Sequence, residues 1–250
     1  MTMVRIRVVI PVLHSDELVN KARHEYDRAA GPAVEMSYAC IRHGTRTIES
    51  EFDVALVQPD TIRLCMEAES DGADAAIIAC FGDPGGAGAK EVTAIPIVGE
   101  GEAALHVGSL VANRFSIITV KQESVPSMIA MAERVHLGAK LASVRPVDFS
   151  VMEFDLSCVD DVIEQSVGAV LDDGAEAIVM GCTGTGVDMV PLVTDRLAER
   201  VGSYVPVIDP VRAAVSLAEL CARHGYRPSK RAFATPTQQR PEYSWAGRTP

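Results

Sequence analysis

Two cysteines carry the most informative chemistry in this chain. Cys80 closes the segment Asp71 to Cys80, DGADAAIIAC, and Cys182 closes Asp173 to Cys182, DGAEAIVMGC. The two segments superpose without a gap at an offset of 102 residues. A glycine-rich loop follows each cysteine. A thiol at a strand end, close to glycine amides and a helix start, is expected to ionise below its ordinary range. One such thiol is a base or a nucleophile. Two of them, facing across a crevice that holds a flat carbon, can take a proton from one face and return one to the other. That is stereoinversion without a cofactor, and it requires a substrate carbon acid beside a carbonyl or carboxyl. Backbone amides after each cysteine are available to the enolate-like oxygen. The symmetry has a chemical reason, because either enantiomer must serve as substrate. A cysteine at a buried strand end, taken alone, reads as a core thiol; the matched pair is what favours acid/base work. Cys40, Cys65, Cys158 and Cys221 have no counterpart in the other half and are read as structural.

The elements that must position the pair follow from pattern. Ala75 to Ala79 and Ala177 to Met180 are near-continuous apolar runs, as parallel strands covered on both faces require. Asp-Gly-Ala before each is a tight turn after a helix. Val4 to Val12 reads as a first strand that Pro11 should end, Ser15 as the cap of a helix to about Ala30, and Val34 to Ile41 as a second strand. Ser50 to Asp60 reads as a mobile or short helical link before a helix over Thr61 to Ser70. Ile95 to Val98 followed by Ala103-Ala104-Leu105 matches Val205 to Ile208 followed by Ala213-Ala214-Val215, now at offset 110. The expected fold class is α/β, with two pseudo-symmetric doubly wound lobes, each built on a mainly parallel sheet, and the active site in the cleft between them. The expected division is residues 1–98 with 209–250 in the first lobe and 99–208 in the second. The stretch 227–250, with four prolines and no long apolar run, reads as an extended or partly disordered tail, or one packed on a neighbouring subunit.

Composition narrows the function classes. The formal charge of −11 over 250 residues argues against nucleic acid or an anionic membrane as partner. The chain has no run of 18 apolar residues, and MTMVRIRVVIPV is strand-like and too short for a signal peptide, so a cytoplasmic protein with reduced thiols is expected. The cysteines form no Cys-x-x-Cys pair and the histidines no metal spacing, so neither metal nor cofactor is expected. Gly82 to Gly88 lacks the Lys-Ser/Thr of a phosphate loop, and Gly99-Glu100-Gly101 lacks the spacing of a dinucleotide fingerprint. Asp83 and Asp188, shortly after the thiols, read as caps of the following helices or as groups that orient the thiols.

With these residues in hand, the chain resembles the aspartate/glutamate/hydantoin racemase superfamily. The resemblance rests on Ala79-Cys80-Phe81-Gly82-Asp83-Pro84-Gly85, Arg114 to Thr119, Gly181-Cys182-Thr183-Gly184 and Pro206-Val207-Ile208-Asp209. It is nearest to the hydantoin and allantoin racemase branch and runs from about Val4 to Ala234. It implies a cofactor-independent racemase with Cys80 and Cys182 as the acid/base pair, a small-molecule substrate between the lobes and a homo-oligomer. It further implies substrate contacts at Thr47, Phe81, Thr119, Val125, Thr183 and Gly184. The bland alternatives are a turn or cap hydroxyl for Thr47 and Thr119, and core packing for Phe81. One departure stands out. Where the branch usually carries Asn-Pro-Asn and a small hydroxyl residue, this chain has Ile10-Pro11-Val12-Leu13-His14. Two amide side chains are lost, which weakens binding of a polar ring. His14 either enters the pocket in their place or faces solvent before Ser15.

The function expected is therefore racemisation of a 5-substituted hydantoin or of allantoin. The alternatives are an acidic amino-acid racemase, a maleate-isomerase-like enzyme with a cysteine nucleophile, and a non-catalytic two-lobed binding protein. Decarboxylases of this group use a single cysteine, so the pair counts against that activity.

Overall fold

The computed structural model describes residues 2–151, 153–183 and 186–237. Its elements run β1 (Val4–Leu13), α1 (Asp16–Ala29), β2 (Val34–Ile41), α2 (Glu51–Ser70), β3 (Ala75–Ile78), α3 (Gly86–Val92), β4 (Ile97–Gly99) and α4 (Glu100–Val111). The same order then recurs as β5 (Phe115–Thr119), α5 (Val125–Arg134), β6 (Leu141–Pro146), α6 (Val159–Leu171), β7 (Ala177–Met180), α7 (Gly186–Val201), β8 (Val207–Ile208) and α8 (Pro210–His224). Two four-stranded sheets result, ordered β2-β1-β3-β4 and β6-β5-β7-β8, with every pairing parallel. The α/β class and the two parallel sheets agree with the sequence expectation. Ile6 pairs with Ala75 and Phe115 with Ala177, so the central strand pairs are in corresponding register.

Side chains alternate between two cores because successive strand residues point to opposite faces. Ile6, Val8, Ile77, Phe115, Ile117 and Val179 share one core with α4 and α8, which pack between the sheets. Val9, Ala76 and Ile78 face outward against α2, while Ile118, Ile178 and Met180 face outward against α6 and α7. The repeated Asp-Gly-Ala turns have a backbone reason. Gly72 and Gly174 take φ of +81° and +73°, the left-handed conformation that glycine adopts without a side-chain clash. Arg7 bonds Asp71 and Arg145 bonds Asp173, which fixes each turn to a neighbouring strand.

Two expectations are corrected. Pro11 does not end β1: the register shifts between Ile10 and Leu13, and Leu13 resumes pairing with Ile41, so the missing donor is spanned by an irregularity. Ser50 to Asp60 is not a separate link. It is the start of the 20-residue helix α2, with Ser50 as its cap and Pro59 inside it. Val57, Thr61, Leu64, Cys65 and Ala68 form one buried helical stripe, and its burial outweighs a proline cost of about 3 kcal/mol. The final stretch, as far as residue 237, folds back on its own lobe. The Lys230 ammonium donates to the carbonyls of Lys90, Glu91 and Thr93 at 2.9, 2.8 and 2.7 Å. The Lys90 ammonium in turn lies over the Phe233 ring. The rest of the expected tail lies outside the described residues.

Candidate active site

Strands β3 and β7 end two residues short of Cys80 and Cys182, and both cysteines line one cavity of about 390 Å³. The cavity opens at the carboxyl ends of β1, β3, β5 and β7, the expected place for a ligand in open α/β sheets. Its walls are mostly apolar: Ile10 and Val12 from β1, Leu18 and Ala22 from α1, and Met128 and Met131 from α5. Thr47, Phe81, Thr119 and Thr183 also line it. The Thr119 hydroxyl is buried and has no hydrogen-bond partner among the described residues. Phe81 serves both as cavity wall and as part of the central core.

Not every residue singled out in the sequence is gathered there. His14 stays at the surface beside Asp16, at 3.4 Å, and does not line the cavity. Val125 opens α5, but its neighbours Ser124 and Pro126, not Val125 itself, reach the cavity wall. Gly184 lies outside the described residues.

The electrostatics reverse one expectation. Burial pushes the Cys80 thiol well above its ordinary range. A hydrogen bond from the Gly82 amide opposes this, and the charges of Glu100, Asp83 and Cys182 push in the same direction as burial. Lost hydration outweighs one amide donor, so Cys80 is a thiol at neutral pH and, once ionised, a strong base.

Two carboxyls stand behind it. Asp83 accepts the Gly101 and Glu102 amides at 3.0 and 2.8 Å, and so caps α4 from the loop after Cys80. Burial still pushes Asp83 up to about 7. Space for this contact exists only because residues 99 and 101 are glycines. A Cβ on Gly99 would lie 2.1 Å from Asp83 Cγ, and one on Gly101 would lie 2.0 Å from the Phe81 carbonyl oxygen. Glu100, fully buried, receives the Tyr26 hydroxyl on one oxygen and the Thr183 hydroxyl on the other, the latter at 2.6 Å. Burial pushes its carboxyl up to about 8; Asp83 and Asp209 add to the shift and the two hydroxyls reduce it.

Pattern reading passed over Glu100 because Gly-Glu-Gly-Glu looks like an exposed helix start. The available signal was its helical face. Glu100 precedes Ala103 and Ala104 by three and four positions, and those small apolar residues sit on the buried side. Further ties reach from α1 to the first turn of α7, shortly after Cys182. Glu25 accepts the Val187 amide at 2.8 Å, and Asp188 bonds both Arg28 and His24 at 2.9 Å. The Asp83 side chain therefore caps α4 and not α3, and Asp188, in the first turn of α7, ties that helix to α1. Among the described residues, no group of three or more His, Cys, Asp or Glu could hold a metal ion. Nor, among those residues, is any helix long and apolar enough to cross a membrane.

Known proteins share this chain's sequence pattern and fold. Residues 8–218 match the Asp/Glu/Hydantoin racemase family. A hydantoin racemase of Paenarthrobacter aurescens is 37% identical over 201 residues, covering 78% of this chain and 82% of that protein. The solved allantoin racemase of Klebsiella pneumoniae superposes with a TM-score of 0.82 at 29% identity, covering 94% of both chains. A glutamate racemase of Bacillus anthracis, at 17% identity and a TM-score of 0.61, shares the fold over 90% of this chain and 84% of its own.

Proposed function

The chain belongs to the Asp/Glu/hydantoin racemase family and is a racemase, an isomerase; from that premise we propose that it inverts the stereocentre of 5-substituted hydantoins carrying an apolar substituent. The observation that carries this reading is the pair of thiols, Cys80 and Cys182, on one largely apolar cavity. One cysteine, as thiolate, takes the proton from C5 of the ring. The bonding pair moves into the adjacent carbonyl and leaves an enolate oxygen. The opposite cysteine, as thiol, gives its proton to the other face of C5. The products are the inverted substrate and a thiol/thiolate pair with the roles exchanged, ready for the opposite enantiomer. No cofactor enters the balance. The Thr119 hydroxyl, buried and without a partner among the described residues, is available to a ring carbonyl.

The walls support the choice of substrate. Ile10, Val12, Leu18 and Met128 suit an alkyl or aromatic substituent better than the ureido group of allantoin. An acidic amino acid is less well matched. The ionisable groups on the cavity are Glu25, Glu49, Glu51 and Glu123 against Lys21, Arg46 and Arg134, so there is no excess of cations to hold two carboxylates.

The test is racemisation in deuterated water of enantiopure hydantoins bearing benzyl, isobutyl or ureido substituents. The expected result is inverted product with solvent deuterium at C5 and faster turnover of the apolar substrates. Product that keeps its original hydrogen would overturn the two-base scheme. A preference for the ureido compound would overturn the substrate assignment.

A further inference from the structure

The racemisation scheme leaves one buried ionisable group without a task. Glu100 sits on the first turn of α4, at 0% exposure, and each of its carboxyl oxygens has one hydroxyl partner. Tyr26 Oη, from α1, is itself fully buried and has Glu100 as its hydrogen-bond partner. Thr183 is the residue after Cys182, and it lines the cavity.

The chemistry of these three groups allows two arrangements. An ionised carboxylate only accepts, so both hydroxyls donate to it and Thr183 turns its lone pairs toward the cavity. A protonated carboxyl has one O–H to give. Tyr26 has no other acceptor among the described residues, so it continues to donate to Oε1. The carboxyl proton then sits on Oε2 and is given to Thr183 Oγ1. The Thr183 proton must leave that line, and among the described residues the side that remains is the cavity, which Thr183 lines.

We infer that Glu100 is a positioning residue that sets whether Thr183 offers the cavity a hydroxyl donor or a lone pair, and so whether an enolate oxygen is stabilised beside Cys182. The inference rests on the racemase reading above. The groups that face Glu100 fix where the change falls. Asp83 from the loop after β3, Asp209 ahead of α8 and the Cys80 thiol all surround it, with the hydroxyls of Tyr26 and Thr183. No cation is bonded to it among the described residues. Burial and the two acids push the carboxyl up to about 8. Thr183 is therefore a donor at neutral pH and an acceptor in alkali.

The test follows kcat against pH for the wild type, Glu100→Gln, Thr183→Val and Tyr26→Phe. Wild type should show a fall in kcat centred near pH 8, superposed on the rise from thiol ionisation. Glu100→Gln keeps the shape of the side chain, accepts from Tyr26 and donates N–H to Thr183 at every pH. It should retain kcat at neutral pH within about threefold and lose the fall. Thr183→Val should lower kcat at neutral pH by about 100-fold and also abolish the fall. Tyr26→Phe removes a bond that favours the carboxylate, so the fall should move to higher pH. Persistence of the fall in Glu100→Gln, or an unmoved fall in Tyr26→Phe, overturns the inference. Infrared difference spectra supply a readout that needs no turnover. A protonated carboxyl band should titrate near pH 8 in the wild type and higher in Tyr26→Phe. If that band is seen but no hydantoin is racemised, the functional reading fails and the switch stands. If the wild type has no such band, the switch fails on its own.

Discussion

The helices that follow the last strand of each sheet start at matching places and are built differently. At offset 110, Gly99-Glu100-Gly101 stands against Asp209-Pro210-Val211. In the second half Asp209 caps its own helix, accepting the Val211 and Arg212 amides at 2.9 and 3.3 Å, with Pro210 in the first turn. In the first half the cap position is Gly99, which has no side chain, and Asp83 reaches in from the loop after Cys80 to do that work. The consequence bears on the thiols. The Cys80 loop is clamped to the α4 that follows its own sheet. The segment after Cys182 is held by Thr183 on Glu100 and, at the first turn of α7, by Val187 on Glu25 and Asp188 on Arg28 and His24 of α1. Two thiols that are nearly equivalent by symmetry thus depend on different supports: Cys80 on a clamp to α4, which packs between the sheets, and Cys182 on that helix and on α1.

The largest effect should come from the thiols themselves. Cys80→Ser and Cys182→Ser should each lower racemisation by about 100- to 10,000-fold, the range for loss of a positioned acid/base. The remaining cysteine still faces one side of the carbon. Each variant should therefore keep slow exchange of the C5 hydrogen with solvent for one enantiomer, and the two variants should favour opposite enantiomers. Proton NMR in deuterated water reads both quantities. Exchange of both enantiomers by either single variant would show that the two cysteines do not face opposite sides.

A second comparison uses glycines that are not shared between the halves. Gly101 aligns with Val211, yet a Cβ at Gly101 would meet the Phe81 carbonyl oxygen at 2.0 Å. Gly181 aligns with Ala79, yet a Cβ there would lie 2.8 Å from Ile117 Cγ2 and 2.9 Å from the Ile118 carbonyl oxygen. Gly101→Ala should cost about 1–3 kcal/mol of stability by forcing the backbone next to Cys80, and kcat should fall with it. Gly181→Ala should cost less, because one of its contacts is the tip of an isoleucine side chain. Denaturant unfolding and steady-state rates on the two variants check the order.

The repeat was legible because its signals are local. Apolar four-residue strands, left-handed glycines after helices and a cysteine at each strand end all appear as contiguous strings. The supports were not legible, because they depend on which distant segments meet. Asp83 looks like a cap for the helix that follows it and instead caps α4, with Gly101 and Glu102 as its partners. Glu100 looks solvated and is buried by a tyrosine 74 positions earlier and a threonine 83 positions later. The thiol ionisation was misjudged for a related reason. Glycine amides are visible in sequence, whereas the desolvation that outweighs them is a property of the folded chain around Cys80. Helix α2 failed locally because Pro59 is a strong breaker on its own, and only the buried stripe around it decides otherwise.

The smallest effect compares the two aspartates that follow the thiols, and its value is in its sign. Burial raises Asp83 to about 7, so between about pH 4, where an unfolded aspartate titrates, and that value the folded protein holds more protons than the unfolded one. Its contribution to stability is therefore largest in acid and shrinks as pH rises through that window. Asp188 is shifted the other way, lowered first by its bond to His24 and then by the Arg28 charge. Its contribution is complete above about pH 4 and is lost as pH falls through its depressed value. Asp83→Asn should accordingly gain on wild type as pH rises toward 7. Asp188→Asn should trail wild type at neutral pH and converge with it in acid. Asp188 is about half exposed, at 46%, so the second difference should be only a few tenths of a kcal/mol to about 1 kcal/mol. Thermal unfolding of both variants across pH measures the two slopes. Parallel slopes would mean that the segments after Cys80 and Cys182 are held by the same kind of contact, and the contrast between a buried clamp on α4 and a solvated tie to α1 would not survive.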